Sequence, residues 1–250
     1  MTDEEKRMKL SAFVITLERA AERRSHVEWL ISNVPWPCSP LSAVDGSAMT
    51  PESVACVYQR QIHRPKYPHA LRPGEIGCFL SHRKAWQSIV DEDLDAALIF
   101  EDDVTFDPAL LRDSVDFLKQ HVIPGDYVQF QVRELSSGHP RLVCGERHAI
   151  VQPRTVLLRT TAQLVTREAA LRLLEASKCF DRPVDTFLQM TWITGVPVKV
   201  ILPRVTGEIS QQLGGSTIQS SVRPWYERLR KEIIRPFYRA QIRYRARRAS

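Results

Sequence analysis

The stretch Leu94 to Phe106, LDAALIFEDDVTF, constrains this chain more than any other. Five apolar residues, Ala96-Ala97-Leu98-Ile99-Phe100, run straight into three acids, Glu101-Asp102-Asp103. A short unbroken apolar run fits a strand buried on both faces of a parallel sheet, and by periodicity alone it also fits a buried helix segment. Carboxylates at its end cost free energy unless they are paired or hold a metal. Ligands of open α/β sheets bind at the carboxyl ends of the strands. The stretch therefore points to a divalent-metal and phosphate site at the lip of a sheet. The plainer reading is a turn with solvated acids.

Strand-like and helix-like patterns alternate along the rest of the chain. Ala12 to Leu17 reads as a first strand, and Glu18 to Ser32 as an amphipathic helix with Val27, Leu30 and Ile31 on its apolar side. Leu41 to Gly46 reads as a short strand ending in an Asp-Gly turn, and 51–70 as loop with a short helix. Pro73 opens a helix to about Val90, and Pro108 to His121 forms another. Tyr127 to Val132 alternates like a strand, 136–148 is turn-rich, and Val156 to Val165 carries one or two strands. Thr166 is placed to cap a helix through Glu175, Asp181-Arg182-Pro183 begins another, and Val196 to Leu202 is a late strand. The polar segment 207–221 reads as a mobile loop. This alternation predicts an α/β fold with a mainly parallel sheet and flanking helices.

The net charge of +6 misleads as a whole-chain number. From Val222 to Ser250 there are ten Arg and Lys against two acids, a net +8 that leaves the body at −2. A boundary near Ser221 therefore separates the body, 1–221, from a basic tail, 222–250. No run approaches the roughly 20 apolar residues that span a bilayer. The charged start MTDEEKRMKL and the short run AFVITL do not make a secretory signal. Five scattered cysteines without a CxxC pair fit a reducing compartment. A cytoplasmic protein is expected.

FVITLERAAERR, SAVDG, LRPGEIGCFLSHRKAW, ALIFEDDV, RPVD and GGSTI follow one another in the order found in glycosyltransferase family 25, which the chain resembles over about residues 12 to 220. The pairing of GEIGCFLSH with EDDV about 20 residues later is the specific part. The resemblance implies a GT-A-like, Rossmann-like α/β domain and an inverting transfer of a hexose from a nucleotide sugar, usually UDP-galactose, to a lipooligosaccharide or related glycan.

The chemistry of such a reaction matches the residues. A departing diphosphate needs positive charge, and a Mn²⁺ or Mg²⁺ ion held by one or two carboxylates supplies it. In an extended segment Glu101 and Asp103 share a face. Asp103 is the expected metal ligand, and Glu101 touches metal or ribose. Asp102 faces the sugar or the sheet and counts as a candidate catalytic residue. Thr16, Leu17, Arg19 and Arg23, at and beyond the end of the first strand, are candidates to hold the nucleotide and its phosphates. The alternative for the arginines is a solvated helix face, preferred for Arg24. Asp45 would accept from uracil or ribose, or simply form its turn. Gly74, Ser81, His82 and Lys84 belong to the GEIGCFLSH helix and its continuation, whose amino end favours an anion. His82 would touch phosphate or position the acids, or merely pack. Ser216 in GGSTI would contact donor or acceptor as its loop orders.

The general base that inversion requires is assigned first to Asp185, with Asp181 and Glu208 behind it. Asp185 could instead be a charge favouring a helix start. No histidine follows His148 to complete a metal shell, so metal dependence is open, and Gln163 stands where family members often carry an aromatic residue. In the tail, Trp225, Leu229, Ile233 and Phe237 recur every four residues among arginines. That pattern suits peripheral binding to the inner face of a membrane, with Pro236 kinking or dividing the helix. A helix docked on the body, or a disordered basic end, is the other possibility. Competing functions are a polyanion-binding protein working through the tail, and a transferase domain that keeps the fold but not the activity. The acidic body, lacking a nucleic-acid motif, speaks against nucleic acid as a partner.

Overall fold

A computed structural model describes residues 8–135, 138–213 and 225–249, the last segment without the side chains of 225–235 and 249. The first half runs β1 (Leu10–Thr16), α1 (Arg24–Asn33), β2 (Cys38–Ser42), α2 (Pro51–Val57), α3 (Pro73–Asp91), β3 (Ala96–Glu101), β4 (Val104–Phe106) and α4 (Pro108–His121). There follow β5 (Tyr127–Gln129), β6 (Arg141–Cys144), β7 (Ala149–Val151), β8 (Ala162–Thr166), α5 (Arg167–Ala176), α6 (Val184–Leu188), α7 (Thr191–Thr194), β9 (Val198–Leu202), β10 (Thr206–Glu208) and α8 (Trp225–Ala249).

One eight-stranded sheet has the order β2-β1-β3-β8-β5-β9-β7-β6. β1 pairs parallel with β2 and β3, and β5 with β9, while β8 and β7 run antiparallel to their neighbours. The sheet is thus mixed, with most strands pointing one way. All five residues Ala96 to Phe100 are fully buried. Alternate residues of β3 enter different cores. Ala97 and Ile99 join the side chains of α3 and α5, and Ala96, Leu98 and Phe100 join those of α1 and α4. Each fully buried Leu, Ile or Phe contributes about 1.5–3 kcal/mol, so the double burial that the apolar run predicts anchors a helix–sheet–helix sandwich.

Helix ends follow their sequence signals. Asp107 accepts from Leu110 N (2.9 Å) ahead of Pro108, and Glu75 Oε2 accepts from Arg72 N (2.8 Å) to close the start of α3. Several segments depart from expectation, among them the second strand, which spans Cys38–Ser42 and not Leu41 to Gly46. Residues 141–144, inside the turn-rich stretch, form edge strand β6, whose exposure leaves no apolar alternation to read. Residues 156–161 are irregular, and only Ala162–Thr166 of that stretch is strand. Part of the expected mobile loop, Thr206–Glu208, is instead β10, pairing antiparallel with β4.

α8 runs on undivided through Pro236, which removes only one helical hydrogen bond. Tyr238, Ile242 and Ala246 are buried against the body, whereas Phe237 is 68% exposed. The buried stripe thus lies one residue beyond the one that spacing suggested. Trp225, Leu229 and Ile233 lie outside the described side chains. No helix among the described residues is long and apolar enough to cross a membrane.

Candidate active site

Parallel pairing brings the carboxyl ends of β1, β2 and β3 to one edge, with Ile15 in register with Glu101 and Thr16 with Ser42. A cavity of about 740 Å³ opens there. Its walls come from the ends of these strands, from α3 and α6, from residues 158–161, from the segment after β10, and from Tyr238 and Arg239 of α8.

The three acids all line this cavity, but not by strand alternation. β3 ends at Glu101, and Asp102-Asp103 form a turn into β4. Asp102 pairs with Arg23, which is buried to 2% exposure, and receives a hydrogen bond from Thr16. Burial raises the Asp102 carboxyl, and Arg23 opposes that rise. Asp103 Oδ2 lies 3.8 Å from the same guanidinium. Burial, then the neighbouring Glu101 and Asp102 charges, push Asp103 up to about 6. Glu101 accepts from Thr160 Oγ1 (2.8 Å) and lies 3.1 Å from His82 Nε2. Burial alone would raise it, but the His82 and Thr160 hydrogen bonds and the Arg159 charge hold it below the usual glutamate range.

α3 braces this edge. Gly77 lets the helix approach the loop after β2, since a Cβ there would sit 2.4 Å from Val44 O. Ser81 Oγ accepts from Val44 N (2.8 Å) and donates to Gly77 O (2.7 Å). Fully buried Gln163 places Nε2 3.3 Å from His82 Nδ1, so with this amide orientation the ring proton sits on Nε2, facing Glu101. Gln163, noted in the sequence for its departure from the family pattern, thus orients the histidine behind the acids.

Of the other sequence candidates, Leu17, Arg19, Asp45 and Gly74 line the cavity, and Arg19 pairs with Asp45 at 2.6 Å. Asp45 also accepts from Ser47 N (3.0 Å) and Ser47 Oγ (2.5 Å), so its turn-forming role is real. Hydrogen bonds from Ser47, then Arg19, hold its carboxyl low. Asp185 lines the opposite wall, its carboxyl raised by burial while accepting from Arg159 N (3.2 Å) and Thr186 Oγ1 (3.0 Å).

Three placements correct the sequence reading. Lys84 does not line the cavity, because its ammonium is drawn to Ser42 O at 2.8 Å. Thr16 reaches the site only through its bond to Asp102. Arg23 does line the cavity, with its guanidinium engaged by Asp102. Asp181 is fully buried against Arg182, away from the cavity. Ser216 lies outside the described residues. Sequence reasoning missed Arg159, Thr160, Tyr238 and Arg239; the first two stand in no periodic segment or motif, and the other two belong to the tail helix, whose four-residue spacing pointed to Phe237 instead.

The family model described as Glycosyltransferase family 25 (LPS biosynthesis protein) matches residues 9–188. This chain belongs to glycosyltransferase family 25. It is 32% identical over 183 residues to a glycosyltransferase 25 family member of Drosophila pseudoobscura pseudoobscura, covering 70% of this chain and 29% of that one. It is 26% identical over 187 residues to procollagen galactosyltransferase 1 of Danio rerio, covering 72% and 31%. A probable inactive glycosyltransferase 25 family member 3 of Bos taurus is 27% identical over 184 residues, covering 70% and 30%. The chain thus spans about a third of the length of these curated relatives.

Two donor sets in this family 25 cavity bear on a metal. The ligand atoms of Cys78, His82 and Glu101 lie within 4.8 Å of one another. Burial, then the nearby acids, holds the Cys78 thiol well above its ordinary value, and both His82 nitrogens already face partners. A protonated thiol is a poor ligand. The other set is Glu101 with Asp103, whose Oδ1 is buried and has no hydrogen-bond partner among the described residues. All-oxygen donors suit Mg²⁺ or Mn²⁺, and crowded carboxylates with an unmatched oxygen fit a cation better than they fit an empty turn.

Proposed function

We propose that this chain transfers a hexose, galactose first among the candidates, from a UDP-sugar to a hydroxyl of a lipooligosaccharide or related glycan, with inversion. The observation that carries this reading is the convergence of Glu101, Asp102 and Asp103, at the carboxyl edge of β3, on one cavity with Arg19 and Asp45 from beyond β1 and β2. Family membership supports the reaction class, the zebrafish relative's name supports galactose, and the description of the family model supports the acceptor.

The residues divide the work as follows. Leu17, Arg19 and Asp45 receive the nucleoside. Gly74 and Ser81 shape the wall beside it. Glu101 and Asp103 would hold Mn²⁺ or Mg²⁺, which when bound would offset the charge of the departing diphosphate. His82, oriented by Gln163, holds Glu101. Arg23 and Thr16 hold Asp102, which makes it an anchor for the turn and not a group that touches the sugar. Asp185, whose burial strengthens its hold on a proton, takes the proton of the acceptor hydroxyl. The acceptor oxygen forms its bond to the anomeric carbon as the bond to the diphosphate breaks on the opposite face, and UDP leaves.

Exposed Phe237, Tyr244 and Arg248, on one side of α8, make a basic aromatic face suited to an anionic leaflet. Such a face would hold the enzyme at the cytoplasmic side of the inner membrane, beside a lipid-linked acceptor.

Incubation with a panel of UDP-sugars, Mn²⁺ and a deacylated lipooligosaccharide should release UDP with one donor. Asp103→Ala should abolish that release by a factor of 100 or more, on the order of losing one strong transition-state contact. Turnover unchanged in Asp103→Ala would overturn the site assignment. The bovine relative, named a probable inactive family member, favours a second reading, a fold retained for binding alone. UDP binding without turnover on any acceptor would favour it.

A further inference from the structure

Arg159 stands at the centre of the cavity's unexplained chemistry. It is a non-glycine residue at φ +85°, a strained backbone conformation that persists only where surroundings enforce it. Both its backbone groups are pinned. Its N–H donates to Asp185 Oδ2 at 3.2 Å, and its carbonyl accepts from the buried Gln129 amide. The side chain therefore leaves the chain in an imposed direction, into the cavity, where it pairs with Glu208. Glu208 is carried there by the β4–β10 pairing, in register with Val104, only one residue beyond the acidic turn. The next residue, Ile209, donates its N–H to Asp103 O at 2.9 Å.

The pair is unlike the cavity's buried one. The side chains of Arg159 and Glu208 are 39% and 28% exposed, and the other Glu208 oxygen accepts from Ser210 Oγ at 2.9 Å. Partly solvated ion pairs are worth little and exchange readily. A guanidinium aimed by a strained backbone also matches the forked geometry of phosphate oxygens.

We propose that Arg159 is a diphosphate-binding cation of this cavity and that Glu208 is its exchangeable counter-ion while the site is empty. The donor's diphosphate takes the guanidinium, and Glu208 is released to accept hydrogen bonds from acceptor hydroxyls. The inference rests on the sugar-nucleotide reading above and names the residues that would exchange at the diphosphate.

The distinguishing test is calorimetric titration of the full chain with UDP and with uridine. Removing the competing carboxylate in Glu208→Gln should tighten UDP binding about threefold to tenfold, with uridine unchanged. Arg159→Gly relaxes the φ +85° backbone and keeps the N–H to Asp185. It should weaken UDP binding by about tenfold without lowering the thermal midpoint. In the Arg159→Gly background, Glu208→Gln should no longer improve UDP binding. UDP binding unaffected by Glu208→Gln, or a gain that persists in the double variant, overturns the exchange and leaves the transferase reading standing. A wild-type chain that binds no UDP overturns both.

Discussion

Arg23 and Arg182 both bury a guanidinium against an aspartate, yet the two sites are completed differently. Arg182 gives Nε to Asp181 Oδ1 (2.6 Å), Nη1 to Tyr238 OH (2.8 Å), and Nη2 to Pro65 O (2.9 Å) and Asp181 Oδ2 (3.1 Å). Asp181 Oδ2 also receives His63 N at 3.0 Å. That network is closed, and it ties α8 to the segment before α6. Around Arg23 one guanidinium faces Asp102 and Asp103, with Glu101 adding its charge and Asp103 Oδ1 without a hydrogen-bond partner among the described residues. A closed polar network specifies structure, whereas an open one with surplus negative charge is shaped for something that arrives later.

The comparison breaks if the closed network proves dispensable. Arg182→Ala leaves Asp181 buried and unpaired, and should destabilise the fold by about 3–5 kcal/mol in denaturant titration. A loss under about 1 kcal/mol would show that this network is solvated and no different in kind from the other.

The open network should show the opposite response. Asp103 titrates near 6 in the folded chain, above the ordinary 3.8, so the folded state binds its proton more tightly than the unfolded state does. Wild-type stability in metal-free buffer should therefore fall relative to Asp103→Asn as pH rises from about 4 through 6, and level off above. The gap should reach about 1–3 kcal/mol in favour of the variant. Denaturant midpoints for both proteins across that pH range measure it, and a gap independent of pH would remove the case for surplus charge. Mn²⁺ should narrow the gap by stabilising the wild type alone.

The smallest effect sharpens the boundary between structure and binding. Arg19, 60% exposed beside Asp45, should lose under about 1 kcal/mol of stability on change to alanine. The same change should raise KM for the nucleotide donor more than it lowers kcat, which initial-rate kinetics resolves.

Much of this molecule was legible before its structure. The run from Ala96 to Phe100 declared a doubly buried strand because nothing polar interrupts it, and Pro73 and Pro108 marked the starts of α3 and α4 through their fixed φ and missing N–H. The acids at the strand's end, and the motif order that resembles family 25, pointed to the edge of the sheet where the cavity opens. What sequence could not convey was direction and partnership. β8 runs antiparallel in the middle of the sheet, although an apolar strand has the same composition either way.

Residue periodicity reports which positions share a face and says nothing of what that face meets. α8 offers two apolar stripes one residue apart, and only packing on the body chose Tyr238, Ile242 and Ala246. Alternation predicted that Asp102 would point away from Glu101 and Asp103, and a turn placed all three in one cavity. Arg159 and Glu208 meet across 49 residues of chain because β10 pairs with β4, and neither residue announces this locally. The sequence by itself determined the buried strand and the run of acids that ends it, since both are written in consecutive residues. Tertiary structure alone decided which cations face those acids and which wall closes over them, because ion pairs and cavities join segments whose separation no local pattern records.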